Sequence, residues 1–387
     1  MNPSVRTVLI SGGGTGGHIH PALAIADEIR ARHPEATIQF VGALGRMEME
    51  KVPAAGYPIE GLWISGIDRS ITSLRNLAFP FKLVSSLWKA RRLLRRFKPD
   101  VVVGVGGFAS GPLLDQAARL GIPTLIQEQN SFPGITNRLL ATRVDRICAG
   151  MPGMERWFPA DRIVETGNPL RGPVRELAAQ SGEPAPGAPS GPRTEALAHW
   201  GFTPDNPVLF VMGGSLGALS MNEAVQALLA QAPTLAARGY HILWQTGGRY
   251  EAAMRAWLEA HPADGVHCAG FIDRMDLAYQ AADIVASRAG AMSVAELALV
   301  GKPAILVPSP HVAEDHQTFN AKSLTERGGA VLLPDQNVRT ELATHVQNLL
   351  GNERARRAMA DALRSAARPD AARAVVDEVE ALVAGTP

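Results

Sequence analysis

Glycine-rich turns are the first places in this sequence where chemistry could take place. Residues 12–17 read Gly-Gly-Gly-Thr-Gly-Gly after an apolar run at 5–10, which satisfies the spacing G-x-G-x-x-G. Such a turn leads from a strand into a helix N-terminus, whose backbone amides can bind a phosphate. A dinucleotide site also needs an acidic residue at the end of the second strand, but the run at 37–41 is followed by Gly42 and Ala43. The pattern favours an anion or a closely packed polar ligand other than a dinucleotide; a tight turn without a ligand is the alternative.

Two further stretches have the same character. A second glycine turn at residues 213–217 follows another apolar run and carries Ser215, whose hydroxyl can donate to a phosphate oxygen. Residues 287–296 lead from a strand into a helix that is predicted to begin near Ala291. Glu296 lies one turn into that helix, where its carboxylate can accept from vicinal hydroxyls or simply stabilise the helix start. Repeated turns of this kind indicate the walls of a ligand cleft.

The elements that must position these turns alternate between short β-branched runs and longer helical stretches. The pattern predicts strands at 5–10, 37–41, 101–105, 123–126, 207–211, 241–245, 283–286 and 304–307, with helices at 21–32 and 220–229. Such alternation is typical of parallel sheets that carry helices on both faces.

A break in the pattern divides the chain. Residues 181–192 read SGEPAPGAPSGP, a composition that predicts a linker with neither strand nor helix, and the strand–turn–helix order restarts beyond it. We therefore predict an α/β protein with two doubly wound domains facing a cleft. The N-terminal domain spans 1–172 and the C-terminal domain 173–369, and packing of the tail from about 370 to 387 on the first domain is one arrangement.

Composition excludes several classes of protein. The 387 residues are 46% hydrophobic, which is ample for large cores. A net charge of +1 argues against a nucleic-acid partner held by overall charge. The two cysteines, Cys148 and Cys268, supply neither a disulfide framework nor a thiolate metal cluster. Because no apolar run has the roughly eighteen residues of a membrane span and the N-terminal run is too short for a signal peptide, we expect a cytosolic, soluble or peripheral protein.

Several motifs together resemble one enzyme family. They are GGGTGGHIHPALA from residue 12, GGFASGP at 106–112, EQN at 128–130, GNPLR at 167–171, GGSLGALSMN from residue 213, RAGAMSVAE at 288–296 and HQTFNA at 316–321. Their order and spacing resemble the undecaprenyl-diphospho-muramoylpentapeptide β-N-acetylglucosaminyltransferases of glycosyltransferase family 28. The resemblance covers nearly the whole chain outside the linker. One departure is Phe108, where members of that family often carry tyrosine.

The resemblance implies a fold, a reaction and partners. The fold is GT-B, with two Rossmann-like domains. The reaction is the inverting transfer of GlcNAc from UDP-GlcNAc to the 4-hydroxyl of the MurNAc of lipid I, which forms lipid II in peptidoglycan synthesis. Such an enzyme serves cell-wall growth, cell shape and division.

The resemblance also implies which residues contact the donor. Thr15, Gly16 and Gly17 would lie near the diphosphate and the sugar, and the main chain of Ile272 would bracket the uracil. The other implied contacts are Asn130 and Arg171 from the first domain and the crossing segment, Ser215 at the phosphate, Ala291, Met292, Ser293, Val294, Ala295 and Glu296 at the phosphate and ribose, and Gln317 at the sugar.

An inverting transfer needs a base for the acceptor hydroxyl and stabilisation of the leaving diphosphate. The sequence contains no Asp-x-Asp, the motif with which many nucleotide-sugar transferases hold a metal. We therefore expect no metal and no other cofactor, with helix amides, Ser215 and Arg171 stabilising the charge. His18, which ends the first glycine loop, is the first candidate base, and a structural or sugar-positioning role is its alternative. Glu128 is the second candidate base, and the alternative is a structural role in which it orders its own turn.

A basic and apolar segment predicts contact with a membrane. Residues 69–98 carry nine basic side chains and no acidic one, with Leu, Phe, Val and Trp between them. Apolar residues within a cationic frame fit interfacial binding to anionic lipid, whereas a crossover helix with its apolar face in the core is the alternative. Because the implied acceptor is lipid-linked, we predict a peripheral protein on the anionic inner surface of the cell membrane, at its cytoplasmic face.

Two other functions remain open from the sequence. A UDP-GlcNAc 2-epimerase-like enzyme would share the fold and the donor without needing a lipid, and extra carboxylates in the cleft would favour it. A nucleotide-sugar-binding protein without turnover would be favoured by loss of both His18 and Glu128, but both are present.

Overall fold

The computed structural model describes residues 5–66, 78–179, 191–214 and 216–385. The chain divides into two compact units. Unit 1 comprises residues 1–171 together with 370–387, and unit 2 comprises residues 172–369. Each unit is built on one parallel β-sheet.

Unit 1 contains a seven-stranded sheet. Its strands are β1 (Thr7–Ser11), β2 (Thr37–Ala43), β3 (Ile59–Leu62), β4 (Val101–Gly104), β5 (Thr124–Glu128), β6 (Arg146–Ala149) and β7 (Ile163–Glu165). The order is β3-β2-β1-β4-β5-β6-β7, and every pair is parallel. The central strands β4 and β5 are buried along their whole length, because a parallel sheet is covered on both faces.

Helices cover both faces of this sheet. They are α1 (Gly16–Arg32), α2 (Glu48–Ala54), α3 (Phe79–Phe97), α4 (Ser110–Arg119) and α5 (Ile135–Leu140). Successive strand residues point to opposite faces. Ile10 accordingly packs in a core with Ile25 of α1, whereas its neighbour Leu9 packs in a second core with Leu94 of α3 and Leu113 of α4.

Unit 2 contains a six-stranded parallel sheet of order β10-β9-β8-β11-β12-β13. Its strands are β8 (Val208–Met212), β9 (His241–Gln245), β10 (Val266–Ala269), β11 (Ile284–Ser287), β12 (Ala304–Leu306) and β13 (Ala330–Leu332). Its helices are α6 (Pro173–Ala179), α7 (Pro192–Trp200), α8 (Leu219–Gln231), α9 (Leu235–Arg238), α10 (Glu251–Ala260), α11 (Met275–Ala281), α12 (Ala291–Val300), α13 (His316–Thr325), α14 (Val338–Leu350) and α15 (Glu353–Ala366).

Two differences from the sequence prediction concern the starts of helices. Helix α1 begins at Gly16 rather than near residue 21, and it contains Pro21 in its second turn, where the proline forgoes one intrahelical hydrogen bond. Pro192, predicted to end a linker without helix, is instead the first residue of α7, a position that proline favours. The rest of that predicted linker, residues 181–190, lies outside the described residues.

The C-terminal helix α16 (Ala371–Ala384) belongs to unit 1. Its Val375, Val376 and Val379 are buried in the same core as Ile25 and Ile29 of α1. At the rim of this contact, Arg32 pairs with Asp377 at 2.5 Å and His33 Nε2 lies 2.9 Å from Glu380.

No helix in the described part of the chain is both long and apolar enough to cross a membrane.

The packing of α16 generates a stability prediction. Val376→Ala should lower the free energy of unfolding of unit 1 by about 2 kcal/mol, because two methyl groups leave a fully buried site and the cavity cannot close completely. Urea unfolding followed by circular dichroism measures the change. Ala381→Ser, at an exposed position of the same helix, should leave the midpoint unchanged; an equal effect of both substitutions would show that α16 does not complete this core.

Candidate active site

Loops at the carboxyl ends of the strands carry the candidate residues in each unit. In a parallel sheet these ends lie along one edge, which is where ligands bind in open α/β folds. In unit 1 the loops follow β1, β4 and β5, and in unit 2 they follow β8, β9 and β11.

His18 lies in the first turn of α1, not at the end of the glycine loop as the sequence predicted, because the helix begins two residues earlier. Its Nδ1 lies 2.9 Å from the carbonyl oxygen of Gly13 and 3.4 Å from Thr15 Oγ1. A carbonyl oxygen only accepts hydrogen bonds, so Nδ1 carries the proton in this contact. The neutral ring then has its lone pair on Nε2, the nitrogen that can accept a proton.

Two glycines after β4 make room for this histidine. Gly106 and Gly107 have φ angles of +92° and +86°, which side-chain-bearing residues rarely adopt. A Cβ at Gly106 would lie 2.8 Å from the His18 ring, and one at Gly107 would lie 2.4 Å from the Gly13 carbonyl oxygen. The neighbouring Phe108 is 42% exposed and rests its ring against Gly66. The glycine pair therefore lets the β4 loop pack directly on the His18 side chain.

Glu128 ends β5 and is only 2% exposed. One carboxylate oxygen accepts from the backbone N–H and the side-chain amide of Asn130, at 3.0 and 3.3 Å. The other accepts from the Gly134 N–H at 3.1 Å and the Asn137 amide at 2.8 Å. These four bonds satisfy both oxygens, and the geometry favours the ordering role for Glu128 over the role of a base.

Thr15, Gly16 and Gly17 form the entry to α1. Thr15 is the extended N-cap residue, and its side chain makes no capping bond. Arg171, the last residue of the first segment of unit 1, pairs with Asp27 of α1 at 3.1 Å. Asp27 also accepts from the Tyr57 hydroxyl at 2.7 Å.

Sequence reasoning missed Glu48 in unit 1. This residue begins α2, five residues beyond the end of β2 where a carboxylate was sought, and is 1% exposed. Its carboxylate accepts from the Gly14 N–H at 2.8 Å and from the Ala43 N–H at 3.0 Å. An amide of the first glycine loop thus already holds an anionic group from the chain itself.

The glycine loop after β8 in unit 2 packs against a second glycine loop, after β9. Gly217 has φ +74°, and a Cβ there would lie 2.2 Å from the Thr246 carbonyl oxygen. Gly247 has φ +84° and approaches Gly217 just as closely. Ser215 lies outside the described residues. The sequence signal for the β9 loop is a pair of glycines one residue beyond the strand, and the sequence prediction assigned it no role.

Helix α12 begins at Ala291 as predicted, after the extended N-cap residue Gly290. The side chains of Ala291 and Val294 are buried, so these positions can offer a ligand only backbone groups. The remaining candidates in this stretch are half-buried: Met292, Ser293, Ala295 and Glu296.

The carboxylate of Glu296 accepts from the buried Tyr279 hydroxyl at 2.9 Å. Burial raises the pKa of the Glu296 carboxyl to about 7, although the bond from Tyr279 opposes that shift. Its second oxygen makes no hydrogen bond within the described residues, so it can accept from a ligand hydroxyl.

Two further residues that the resemblance implies as contacts of the sugar nucleotide make hydrogen bonds within unit 2. The Ile272 N–H donates to Gln245 Oε1 at 3.1 Å, which fixes the main chain at that point. Gln317, in the first turn of α13, accepts from the Ser309 N–H at 2.9 Å. Asn320, one turn further on, is fully buried and donates to the Ala289 carbonyl at 3.2 Å. The Gln317 and Asn320 side chains thus tie α13 to the loops after β12 and β11.

Arg288, at the end of β11, is a second residue that sequence reasoning left without a role. It is 8% exposed and pairs with Asp335 at 2.6 Å. It also donates to the carbonyls of Val307 and Pro308 and to Ser220 Oγ at 2.9 Å. One guanidinium therefore joins the loops after β11 and β12 to the start of α8.

No group of three or more His, Cys, Asp or Glu side chains placed to hold a metal ion occurs within the described ranges.

Comparison with known proteins relates both units to one family. The glycosyltransferase family 28 N-terminal domain matches residues 8–149, and the family 28 C-terminal domain matches residues 208–375. A protein from Cytophaga hutchinsonii is 48% identical over 372 residues, which is 96% of this chain and 95% of that protein. One from Porphyromonas gingivalis is 47% identical over 376 residues, or 97% and 95%. Both are named UDP-N-acetylglucosamine–N-acetylmuramyl-(pentapeptide) pyrophosphoryl-undecaprenol N-acetylglucosamine transferase.

Solved structures share the fold. The crystal structure of Acinetobacter baumannii MurG matches with a TM-score of 0.73 and 29% identity, covering 97% of this chain and 99% of that one. A UDP-GlcNAc 2-epimerase from Neisseria meningitidis matches with a TM-score of 0.62 and 14% identity, covering 96% and 99%, a likeness of fold alone. Two parallel-sheet, Rossmann-like domains of this kind are the GT-B fold, which this chain shares with Acinetobacter baumannii MurG. The chain belongs to glycosyltransferase family 28.

The raised pKa of Glu296 generates a pH prediction. A carboxyl whose pKa is higher in the folded chain stabilises the fold at low pH, and this contribution is lost as the pH rises through about 7. Glu296→Gln stays neutral, so its free energy of unfolding relative to wild type should rise by about 2 kcal/mol between roughly pH 5.5 and 8.5. Urea unfolding at both pH values checks this. The control Glu259→Gln, at an exposed position, should show the same pH dependence of the free energy of unfolding as wild type. The same pH dependence in Glu296→Gln would contradict the burial of this carboxyl.

Proposed function

We propose that the chain transfers GlcNAc from UDP-GlcNAc to the 4-hydroxyl of the MurNAc of lipid I, with inversion at the anomeric carbon, to form lipid II. One observation carries the proposal: a transferase with this donor and acceptor in its name is 48% identical over 96% of the chain. Identity at this level covers both units, so it concerns acceptor and donor binding together. Unit 1 is the proposed acceptor domain and unit 2 the proposed donor domain.

His18 is the proposed general base. Its Nδ1 proton is engaged by the Gly13 carbonyl, and Nε2 carries the lone pair that takes the proton from the attacking hydroxyl. Glu128 is proposed to order the loop that presents Asn130 to the substrate, since its two oxygens hold amide groups of that loop. A base within hydrogen-bond reach of the hydroxyl contributes typically 10²–10⁴-fold to the rate.

The first glycine loop is proposed to contact sugar hydroxyls rather than a diphosphate. The Glu48 carboxylate accepts from the Gly14 amide, and a second anion beside it would be repelled. Thr15, Gly16 and Gly17 then offer neutral donors and acceptors at the start of α1. This arrangement supports contact with the transferred GlcNAc.

The donor nucleotide is proposed to bind unit 2. The main chain at Ile272 brackets the uracil, and the second oxygen of Glu296 accepts from ribose hydroxyls. Gln317 directs its amide nitrogen to the sugar while its oxygen remains on Ser309.

Leaving-group stabilisation is proposed to be electrostatic. The first amides of α12, at residues 291–293, point along a helix dipole that favours the diphosphate, and Ser215 adds a hydroxyl. Arg171 has five N–H donors, so its pair with Asp27 leaves donors for a phosphate oxygen. The absence of Asp-x-Asp from the sequence fits stabilisation of the diphosphate by amides and side chains.

Sugar transfer to lipid tests the proposal directly. Labelled UDP-GlcNAc and a lipid I analogue, incubated with the protein in excess EDTA, should give labelled lipid; His18→Gln should lower kcat by about 10²–10⁴-fold because the base is lost. Calorimetry should find an unchanged affinity for UDP, since His18 is not among the residues proposed to contact the uracil, the ribose or the diphosphate.

The controls separate the alternatives. Glu128→Gln should lower the melting temperature, because its amide group would face two N–H donors. No transfer by the wild type would refute the proposal, and conversion of UDP-GlcNAc to its 2-epimer would establish the competing activity. Wild-type kcat in His18→Gln would remove His18 from the base role.

We also propose that α3 docks on the anionic inner surface of the cell membrane, at the cytoplasmic face. Phe81, Val84 and Trp88 recur every three or four residues and are 72%, 67% and 66% exposed, while Ala90 and Leu94 on the opposite side are buried. Large apolar side chains on the outer face of a helix are typical of interfacial binding.

Cations continue the same face of α3. Arg92, whose guanidinium lies 5.7 Å from the Trp88 ring, and Arg95 are both exposed. Lys89 and Arg96 are less available because each pairs with Glu60, at 3.2 and 3.5 Å. Residues 69–77 of the basic segment lie outside the described residues. The face therefore combines an apolar patch with two exposed arginines.

Vesicle binding tests this docking face. Changing Arg92 and Arg95 to glutamine should weaken sedimentation with phosphatidylglycerol vesicles at low salt by about 1 kcal/mol per cation. Changing Phe81, Val84 and Trp88 to serine should weaken it further. A long-chain acceptor should show a raised KM, and a soluble short-chain acceptor should not.

Matched changes on unit 2 provide the control. Arg354 and Arg368 are also exposed, and their replacement by glutamine should leave vesicle binding unchanged. If both arginine pairs weaken binding equally, only overall charge matters and α3 is not the docking face.

A further inference from the structure

Glu48 is buried, ionisable and unused by the mechanism above. Its side chain crosses the backbone of Gly42, where an added Cβ would lie 2.6 Å from its Cγ. Its carboxyl carbon lies 2.2 Å from the position that a Cβ on Gly13 would occupy. Glycine at both positions is thus what admits this carboxylate to the loop.

A short chain of contacts joins Glu48 to His18. The carboxylate holds the Gly14 N–H at 2.8 Å and, with its other oxygen, the Ala43 N–H at 3.0 Å. These bonds tie the glycine loop to the end of β2. The carbonyl of Gly13 belongs to the same peptide unit as the Gly14 N–H, and it accepts from His18 Nδ1 at 2.9 Å.

We propose that Glu48 is a positioning residue for His18: it holds the glycine loop in the one arrangement in which the Gly13 carbonyl fixes the orientation and tautomer of the imidazole. This inference rests on the proposed role of His18 as the base. No neutral side chain of similar size replaces Glu48, because two N–H donors converge on it and a glutamine has only one accepting oxygen. The carboxylate thus acts on the reaction only through the loop.

Histidine tautomers, observed by NMR of ¹⁵N-histidine-labelled full-length protein, test the proposal apart from activity. His18, assigned by the loss of its signals in His18→Gln, should show protonated Nδ1 in wild type and a mixture of tautomers in Glu48→Gln. With a lipid I analogue, kcat of Glu48→Gln should fall by roughly 10- to 100-fold, as misplacement of a catalytic group requires. The affinity for UDP should stay within about twofold of wild type, since the proposed base acts on the acceptor hydroxyl in the chemical step and does not contact UDP.

Glu50→Gln is the matched control, because Glu50 is exposed on the same helix and should behave as wild type in every measurement. If Glu48→Gln does not fold, Glu48→Asp serves the same comparison, since its shorter side chain cannot reach both amides. A wild-type tautomer in the folded variant, whatever its kcat, would overturn the proposal. Full activity of His18→Gln would instead refute the base role of His18, and the NMR result would still decide whether Glu48 positions it.

Discussion

The four amide hydrogen bonds to Glu128 are the interaction on which the loops of unit 1 depend. A carboxylate buried at the end of a strand must find N–H donors, and Asn130, Gly134 and Asn137 supply them. The network continues from the same loop, since the Asn168 amide donates to the Gln129 carbonyl at 3.0 Å. The loops after β5 and β7 are therefore fixed before any substrate arrives, which is the preorganisation that a transferase needs.

In unit 2 the loops are held by a buried cation, Arg288, where unit 1 uses the buried carboxylate of Glu128. Arg288 donates to carbonyl groups at the end of β12, where Glu128 accepts from amides after β5. Its pair with Asp335 is buried, and such a pair is retained more for the arrangement that it specifies than for net stability. A buried carboxylate that accepts from amides and a buried guanidinium that donates to carbonyls thus fix loops at the carboxyl ends of the strands in the two units.

The sequence predicted the central strands and the turns after them that carry the candidate residues. The run at 241–245 coincides with β9, and the start of α12 at Ala291 was correct, because continuous burial and an N-terminal turn leave strong local signals. Edge strands such as β3 and β7 were missed, since they are only four and three residues long and half-buried. Glu48 and Arg288 could not be assigned because their partners lie in other loops, which only the fold brings near. The start of α1 was misplaced because glycine is a poor helix former, and tertiary contacts override that preference.

The return of α16 to unit 1 bears on the order in which the chain acquires its structure during synthesis. Residues 172–369 lie between β7 and α16 in the chain, so all of unit 2 is synthesised before unit 1 receives its last helix. Until α16 is synthesised, unit 1 lacks Val375, Val376 and Val379, and the α1 side of its sheet has exposed apolar surface. The first-synthesised part of this protein therefore waits longest for its complete core, and it is the part that a nascent-chain chaperone would need to shield.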